Sequence, residues 1–187
     1  LDLARALERS LNRAGLPVAY TQGFNRRPRL SLAAALPLGY TSEAEMADIW
    51  LTEAVTPALF LERLRASIAP GISALAAADV PINAPSLQQR VAEALYRVDF
   101  LDVADDVDLR ARVAEMLAAG AFVRERFRPK ERGQTVDLRP LILDLQVTGD
   151  DGEGPTLTMR LVHTANQTGR PDDVLAAAAL ASLAIAQ

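Results

Sequence analysis

Segments of helical and strand periodicity alternate along this chain, and their order limits the possible folds more than any other feature. Apolar residues recur every three or four positions over 3–14, a spacing typical of a helix that stops at Gly15. Alternating patterns predict strands at 29–36 and 44–52. A helix after Thr56-Pro57 and a strand at 72–80 follow, so the first part reads helix, strand, strand, helix, strand.

The second part of the chain repeats this order of elements. Strands are predicted at 93–101, 122–128, 136–148 and 157–164, and helices at 107–119 and 171–185. We therefore expect an α+β fold of two ferredoxin-like (β-α-β-β-α-β) halves, residues 1–81 and 86–187, with antiparallel sheets and helices packed on one face. The first half lacks its first strand, which we expect on a preceding segment, and the second half lacks its last strand.

Composition excludes several kinds of chemistry from this chain. It has no cysteine, so disulfides, thiolate zinc sites and iron–sulfur ligation are not available to it, and we expect no metal or other cofactor here. No phosphate-binding glycine loop or nucleophile elbow is found. No apolar run has the roughly 20 residues of a membrane helix, and no secretory signal is visible, so we expect a cytoplasmic protein with no membrane partner.

A polar loop at 21–29 carries an aromatic residue beside several arginines. Phe24 could stack on a base or another flat ligand, and Gly23 would permit an unusual backbone conformation. Amide and guanidinium groups around it offer hydrogen bonds to the same ligand. The alternative is an ordinary helix-to-strand connection whose Phe24 fills the core. The candidate ligand-binding residues are Gln22, Phe24, Asn25, Arg27 and Arg29.

The predicted strand at 122–128 carries arginine at every second position. Because strand side chains alternate, these arginines would share one face at roughly 6.6–6.8 Å spacing, which suits a phosphate backbone although the net charge is −4. The alternative is a solvated face balanced by Glu125, Glu131 and Asp137. The candidate phosphate-binding residues are Arg124, Arg126, Arg128, Lys130 and Arg139.

Two further sets of titratable residues are weaker candidates for a functional site. Glu43, Glu45 and Asp48 could act as acid and base or hold a hard cation, although nothing in the sequence completes such a site. His163 is the only histidine and lies on the apolar face of its predicted strand, where a buried or edge histidine is the expected interpretation.

Several runs of the sequence form recognisable motifs: Arg13-Ala-Gly-Leu-Pro17, Tyr20-Thr-Gln-Gly-Phe-Asn25, Leu36-Pro-Leu-Gly39 and Val136-Asp-Leu-Arg-Pro140. Together they resemble a bacterial family of unknown function, the radical-SAM-linked domain, which occurs alone or fused C-terminal to a cobalamin-binding radical SAM protein. The family loop reads Ser-x-Gly-Phe-Asn-Pro-His-Pro. Here Thr21 replaces the serine, and Arg26 and Arg27 replace the proline and the histidine.

The resemblance implies a non-catalytic, substrate-recognition domain that acts with a radical SAM protein and binds RNA. The partner would carry the iron–sulfur cluster and S-adenosylmethionine. Two alternatives remain open: a protein-interaction module that only docks the radical SAM partner, and a carboxylate-dependent enzyme that uses Glu43, Glu45 or Asp48.

Overall fold

The chain divides into two compact units. The computed structural model describes residues 2–100, 108–128, 131–148, 155–178 and 184–186. Unit 1 comprises Leu1–Leu36 and Glu43–Arg90, and unit 2 comprises Pro37–Ser42 and Val91–Gln187. These units differ from the predicted halves in two places: the boundary follows Arg90, and the short segment Pro37–Ser42 belongs to unit 2 although unit 1 flanks it in sequence.

Unit 1 begins with a helix and a two-stranded sheet. Its elements are α1 (Asp2–Arg13), β1 (Leu30–Leu32), β2 (Ala47–Ile49), α2 (Pro57–Ser67) and α3 (Leu87–Arg90). β1 and β2 are antiparallel, with Ser31 opposite Asp48. α1 ends before Gly15, which has the positive φ of 61° that a side chain disfavours. The predicted cap of α2 is confirmed, because the Thr56 side chain accepts a hydrogen bond from the N–H of Leu59.

The core of unit 1 lies between its helices and this short sheet. It consists of four buried apolar residues with half-buried neighbours around them: Leu11, Leu16, Val18 and Leu64.

The predicted strand at 72–80 is wrong. Among the residues that the structure describes, no group accepts a hydrogen bond from the backbone N–H groups of 73–80. The Arg65 guanidinium instead donates to the carbonyl oxygens of Ala74 and Leu75, at 2.8 Å each. A strand needs a neighbouring strand for its hydrogen bonds, and local sequence does not supply one. The predicted ferredoxin-like arrangement of unit 1 is therefore not confirmed.

Unit 2 is built around a four-stranded antiparallel sheet in the order β6-β7-β3-β8. A separate two-stranded hairpin, β4–β5, lies between α4 and β6 in sequence. The elements are β3 (Glu93–Phe100), α4 (Leu109–Ala118), β4 (Val123–Arg128), β5 (Glu131–Asp137), β6 (Ile142–Thr148), β7 (Thr156–Val162), α5 (Pro171–Ala177) and β8 (Ala184–Ala186).

Two expectations about unit 2 are corrected. The single strand predicted at 136–148 is interrupted by a 3₁₀ turn at Arg139–Leu141, because Pro140 has no N–H to donate to a ladder. The last strand, predicted to be absent, is β8, in which Ala186 lies opposite Val98 of β3. Alanine favours a helix continuing to 185, but pairing at the edge of β3 outweighs this local preference.

The core of unit 2 is larger than that of unit 1. Val98, Met159 and Leu161 on the inner sheet face are fully buried, and Val174 of α5 is buried against the same cluster. Gly169 passes close to this core, since a Cβ built there would lie 3.0 Å from Leu161 Cβ and 3.1 Å from the carbonyl oxygen of Leu141.

The fold class is thus α+β with antiparallel sheets, as predicted, whereas two ferredoxin-like halves are not confirmed. Within the described ranges, no helix has both the length and the apolar character needed to cross a membrane.

Candidate functional site

Residues 21–29 form a hydrogen-bonded hairpin rather than an irregular connection. The N–H of Thr21 donates to the carbonyl of Arg27 at 2.9 Å, and the N–H of Arg29 donates to the carbonyl of Ala19 at 2.6 Å. The N–H of Arg27 also donates to the Thr21 hydroxyl at 3.1 Å. Residues 22–26 are therefore the tip of a closed loop, which we call the 21–29 hairpin.

The base of this hairpin is fastened to the strand region around Trp50. The N–H of Ala19 donates to the carbonyl of Trp50 at 2.7 Å, and the N–H of Trp50 donates to the carbonyl of Arg29 at 3.1 Å. Pro28 is buried, and Val18 next to the hairpin belongs to the unit 1 core. These contacts position the tip on a packed scaffold, which is the arrangement that binding loops need.

Phe24 lies at the tip with its side chain in solvent. Its relative exposure is 106%, so the alternative that Phe24 fills the core is wrong. The neighbouring side chains of Gln22 and Asn25 are also exposed, and their amides have no hydrogen-bond partner within the described ranges. An aromatic ring and two amides are thus available together at the tip for a ligand.

The arginines of the hairpin stack on aromatic rings. The guanidinium carbon of Arg29 lies 4.5 Å from the Trp50 ring centroid, and that of Arg26 lies 5.9 Å from the Tyr20 ring. The Tyr20 hydroxyl donates to Asn12 Oδ1 at 2.8 Å, which holds that ring in place. Neither aromatic partner was predicted from the sequence, because Tyr20 and Trp50 flank the hairpin base and only pairing across the sheet brings Trp50 to Arg29.

No acidic residue of the described chain neutralises these arginines. Arg26, Arg27 and Arg29 form no salt bridge and no side-chain hydrogen bond there. Their positive charge therefore remains available to an anionic group, although the chain as a whole carries a net charge of −4.

Gly23 does not need to be glycine. Its φ is outside the positive region, and a Cβ built on it would meet no atom within 4 Å. The expectation that Gly23 permits an unusual backbone is wrong, because the hydrogen bonds at the hairpin base are compatible with ordinary dihedral angles at the tip.

The second basic set is less available than its sequence suggests. The Arg124 guanidinium donates to the carbonyls of Asp173 at 2.9 Å and Asp172 at 3.4 Å, and that of Arg139 donates to the carbonyl of Ile142 at 3.1 Å. Both arginines bind backbone at these points, which reduces their capacity to hold a phosphate.

The remaining members of that set are only partly described. Arg126 and Arg128 lie in β4, where the register against β5 shifts between them, so the regular alternation assumed for these arginines is interrupted. Their side chains, and Lys130 altogether, fall outside the described part of the chain. A cavity of about 310 Å³ lies beside Arg124 and is otherwise lined by Phe122, Val123 and three alanines.

Tyr40 contacts both the start of α5 and the ring of Tyr96. The Tyr40 hydroxyl donates to Asp172 Oδ1 at 2.5 Å, and the Tyr40 ring meets the edge of Tyr96 with centroids 6.3 Å apart. Burial raises the pKa of Tyr40 well above its usual value, and the hydrogen bond to Asp172 and that residue's charge raise it further. The phenol therefore stays protonated and fastens Pro37–Ser42 within unit 2.

The candidate carboxylates do not form a site. Glu43 and Glu45 are exposed, and Asp48 Oδ2 accepts a hydrogen bond from the N–H of Leu87 at 2.8 Å at the start of α3. In the described ranges no group of three His, Asp or Glu side chains is placed to hold a metal ion. A carboxylate-dependent enzyme therefore finds no support here.

His163 has a mainly structural setting. Its backbone N–H donates to the carbonyl of Ala92 at 2.8 Å, and it bridges to Thr168 across the turn after β7. The side chain is half-buried, and Nδ1 is buried without a hydrogen-bond partner in the structure. The expected interpretation of a buried or edge histidine fits this position.

One comparison with known proteins identifies a family. The model of a family described as "Uncharacterized protein conserved in bacteria (DUF2344)" matches residues 1–171. No curated protein and no solved structure matches the chain.

Proposed function

We propose a function for a chain that belongs to the DUF2344 family of uncharacterized bacterial proteins: it is a non-catalytic RNA-recognition domain that acts with a radical SAM enzyme. The observation that carries this proposal is the 21–29 hairpin, where solvent-exposed Phe24 lies beside arginines that no acid of the described residues neutralises. An exposed aromatic ring with nearby guanidinium groups is the chemistry by which proteins hold single-stranded nucleic acid.

The ligand-binding role falls on the residues of the hairpin tip and base. Phe24 would supply a stacking surface, the Gln22 and Asn25 amides would bond to polar edges, and Arg27 and Arg29 would approach phosphate. Arg29 is held by Trp50, so its guanidinium loses little freedom on binding. The proposal does not depend on Arg124 or Arg139, whose guanidinium groups already bind backbone carbonyls.

The proposal of a radical SAM partner is based on the motifs around Tyr20–Asn25 and Val136–Pro140, which resemble the radical-SAM-linked domain. The chain has no cysteine, so the iron–sulfur cluster and S-adenosylmethionine would be held by the partner. This division assigns radical chemistry to the partner and substrate capture to this chain. A cytoplasmic location belongs to the same proposal.

As a finer description of the fold, we take unit 2 to be ferredoxin-like. Support comes from its order of strand, helix, strand, strand, helix, strand, once the β4–β5 hairpin is treated as an insertion between α4 and β6. The antiparallel sheet with β3 and β7 at its centre agrees with this description.

The test is a titration with bulk cellular RNA at two salt concentrations. Binding should weaken as salt rises, because each phosphate contact releases counterions. Arg27→Gln should weaken binding and reduce the logarithmic salt slope by about 0.7, the value for one contact to a single strand. Arg112→Gln is the matched control, since Arg112 is exposed on α4 and forms no salt bridge in the described chain.

Two results would contradict RNA recognition. One is the absence of binding at low salt, and the other is binding that does not respond to salt. Equal losses in Arg27→Gln and Arg112→Gln would place the contact outside the 21–29 hairpin and remove the observation on which the proposal rests.

A second candidate function is docking of the partner protein without RNA. The observation in its favour is an exposed apolar segment in unit 1, where Leu75, Val80 and Ile82 have relative exposures of 66%, 55% and 85%. The backbone N–H groups of 73–80 have no acceptor in the described chain, so this segment could pair with a strand of another polypeptide. Association with a radical SAM protein that survives nuclease and high salt would favour this candidate.

A further inference from the structure

We propose that the 21–29 hairpin recognises an unpaired nucleotide of single-stranded RNA and excludes duplex. This inference rests on the proposed RNA-recognition function and narrows its substrate class. It assigns base stacking to Phe24, reading of the base edge to Gln22 and Asn25, and a phosphate contact to Arg27.

Phe24 offers an unobstructed aromatic surface. A relative exposure of 106% means that the accessible area of Phe24 is as large as that of a fully exposed phenylalanine, so both ring faces are open. A base can stack on such a face only if its own face is free. In the interior of a duplex each base is already stacked on both sides, and removing it costs a few kcal/mol.

The tip is held in place before any ligand binds. Three hydrogen bonds close the hairpin below residues 22–26: Thr21 N–H to the Arg27 carbonyl at 2.9 Å, Arg27 N–H to the Thr21 hydroxyl at 3.1 Å, and Arg29 N–H to the Ala19 carbonyl at 2.6 Å. A ligand therefore meets a preformed tip, which reduces the entropy lost on binding.

Polar side chains of the tip have unused hydrogen-bonding groups. The amides of Gln22 and Asn25 flank Phe24 and make no hydrogen bond in the described ranges. Each amide presents a donor and an acceptor in one plane, which matches the edge of an unpaired base. The Arg27 guanidinium is exposed and forms no salt bridge there, so it can reach the adjoining phosphate.

The size of the tip limits recognition to a short stretch. Phe24 is the only aromatic residue in the tip, so one base, or two bases with the ring between them, can stack there. Arg26 lies against Tyr20 and Arg29 lies against Trp50. Both guanidinium groups provide positive charge beside the stacking position at Phe24. An unpaired loop or end of a structured RNA fits this arrangement.

The test compares three RNA probes of equal strand length and labelling, measured by fluorescence anisotropy with the 187-residue chain at one low salt concentration. The probes are an unstructured single strand, a hairpin with an unpaired loop, and a blunt duplex without unpaired bases. We expect the first two to bind at least tenfold more tightly than the duplex. Phe24→Ala should weaken single-strand binding roughly 5- to 150-fold, the loss expected for one stacked base.

Two controls separate stacking from general disturbance. Ile82→Ala removes another exposed apolar side chain and should bind as the unchanged protein does. Phe24→Trp should retain binding, and its new indole should be quenched by single strand. The emission of Trp50, the only natural tryptophan, is subtracted by using the unchanged chain.

Failure of this inference can be told apart from failure of the proposed function. RNA binding in which duplex and single strand bind equally, or in which Phe24→Ala has no effect, overturns the inference and leaves RNA recognition intact. No binding of any probe at low salt overturns both.

Discussion

Trp50 and Arg29 contact each other twice, once through backbone and once through side chains. The N–H of Trp50 donates to the carbonyl of Arg29 at 3.1 Å, and the guanidinium carbon of Arg29 lies 4.5 Å from the Trp50 ring centroid. The hydrogen bond fixes the base of the 21–29 hairpin, and the stacking fixes a cation beside it. The same pair therefore supports both the local fold and the candidate site.

Removing this stacking should be visible in the protein alone. Arg29→Ala should lower the free energy of unfolding by about 0.5–1 kcal/mol, the value of an exposed cation–π contact. It should also change the emission of Trp50, because the guanidinium that lies over this ring is removed. The signal can be assigned to Trp50 because the chain has no other tryptophan. Fluorescence-detected denaturation measures both effects. Arg63→Ala, an exposed arginine on α2 with no salt bridge in the described chain, should change neither, and equal effects of the two variants would contradict the stacking.

Tyr40 should make the stability of the protein sensitive to alkaline pH. Because burial and Asp172 raise its pKa in the folded state, the unfolded chain releases the phenolic proton first. The contribution of this group is therefore complete below the ordinary tyrosine pKa of about 10 and is lost as pH rises above it. Denaturation measured from pH 7 to 11 should show a steeper loss for the unchanged chain than for Tyr40→Phe. Parallel pH profiles would contradict this assignment.

Near neutral pH the same substitution reports on the hydrogen bond itself. Tyr40→Phe removes the donor to Asp172 and should cost about 1 kcal/mol, the net value of a typical intramolecular hydrogen bond. A substitution with no effect on the unfolding free energy at pH 7 would argue that the contact is not formed in solution.

Gly169 should be intolerant of any side chain. A Cβ at this position would lie 3.0 Å from Leu161 Cβ and 3.1 Å from the Leu141 carbonyl oxygen, so Gly169→Ala should cost about 1–3 kcal/mol through overpacking. Gly120→Ala is the matched control, since a Cβ there meets no atom within 4 Å. Thermal denaturation of both variants tests the difference, and equal melting temperatures would refute the close approach.

Hydrogen exchange should distinguish the exposed segment of unit 1 from the sheet of unit 2. The amides of 73–80 lack acceptors in the described chain, so they should exchange close to the rate of an unfolded peptide. The β3 amides that bond to β7 should be protected by several orders of magnitude. Strong protection of 73–80 in the isolated chain would mean that a backbone partner is present in solution.

Local patterns predicted the elements whose burial depends on their own sequence. In β3, Tyr96, Val98 and Phe100 alternate with more exposed residues, and that alternation is readable directly from the chain. Thr56-Pro57 likewise predicted the start of α2, because a cap acts within a few residues. These signals are short-range, so they need no knowledge of the rest of the fold.

The errors arose where a distant strand decides the outcome. The 72–80 segment has a strand-like sequence but lacks a neighbour, whereas the alanines of β8 favour a helix and yet pair with β3. At the candidate site the sequence predicted Phe24 and the arginines, but not the rings beneath Arg26 and Arg29. The Trp50–Arg29 contact depends on the pairing of β1 with β2, and the Tyr20–Arg26 contact depends on the closure of the hairpin between Tyr20 and Pro28.

The allocation of Pro37–Ser42 to unit 2 has a practical consequence for dissecting this protein. A fragment that begins at Val91 would lack the Tyr40 phenol that donates to Asp172. The start of α5 would then lose this hydrogen bond. Separating the two units by a single cut in the chain is therefore expected to give a weakened C-terminal piece. Joining a short peptide containing Tyr40 to that piece would be the rational way to express it alone.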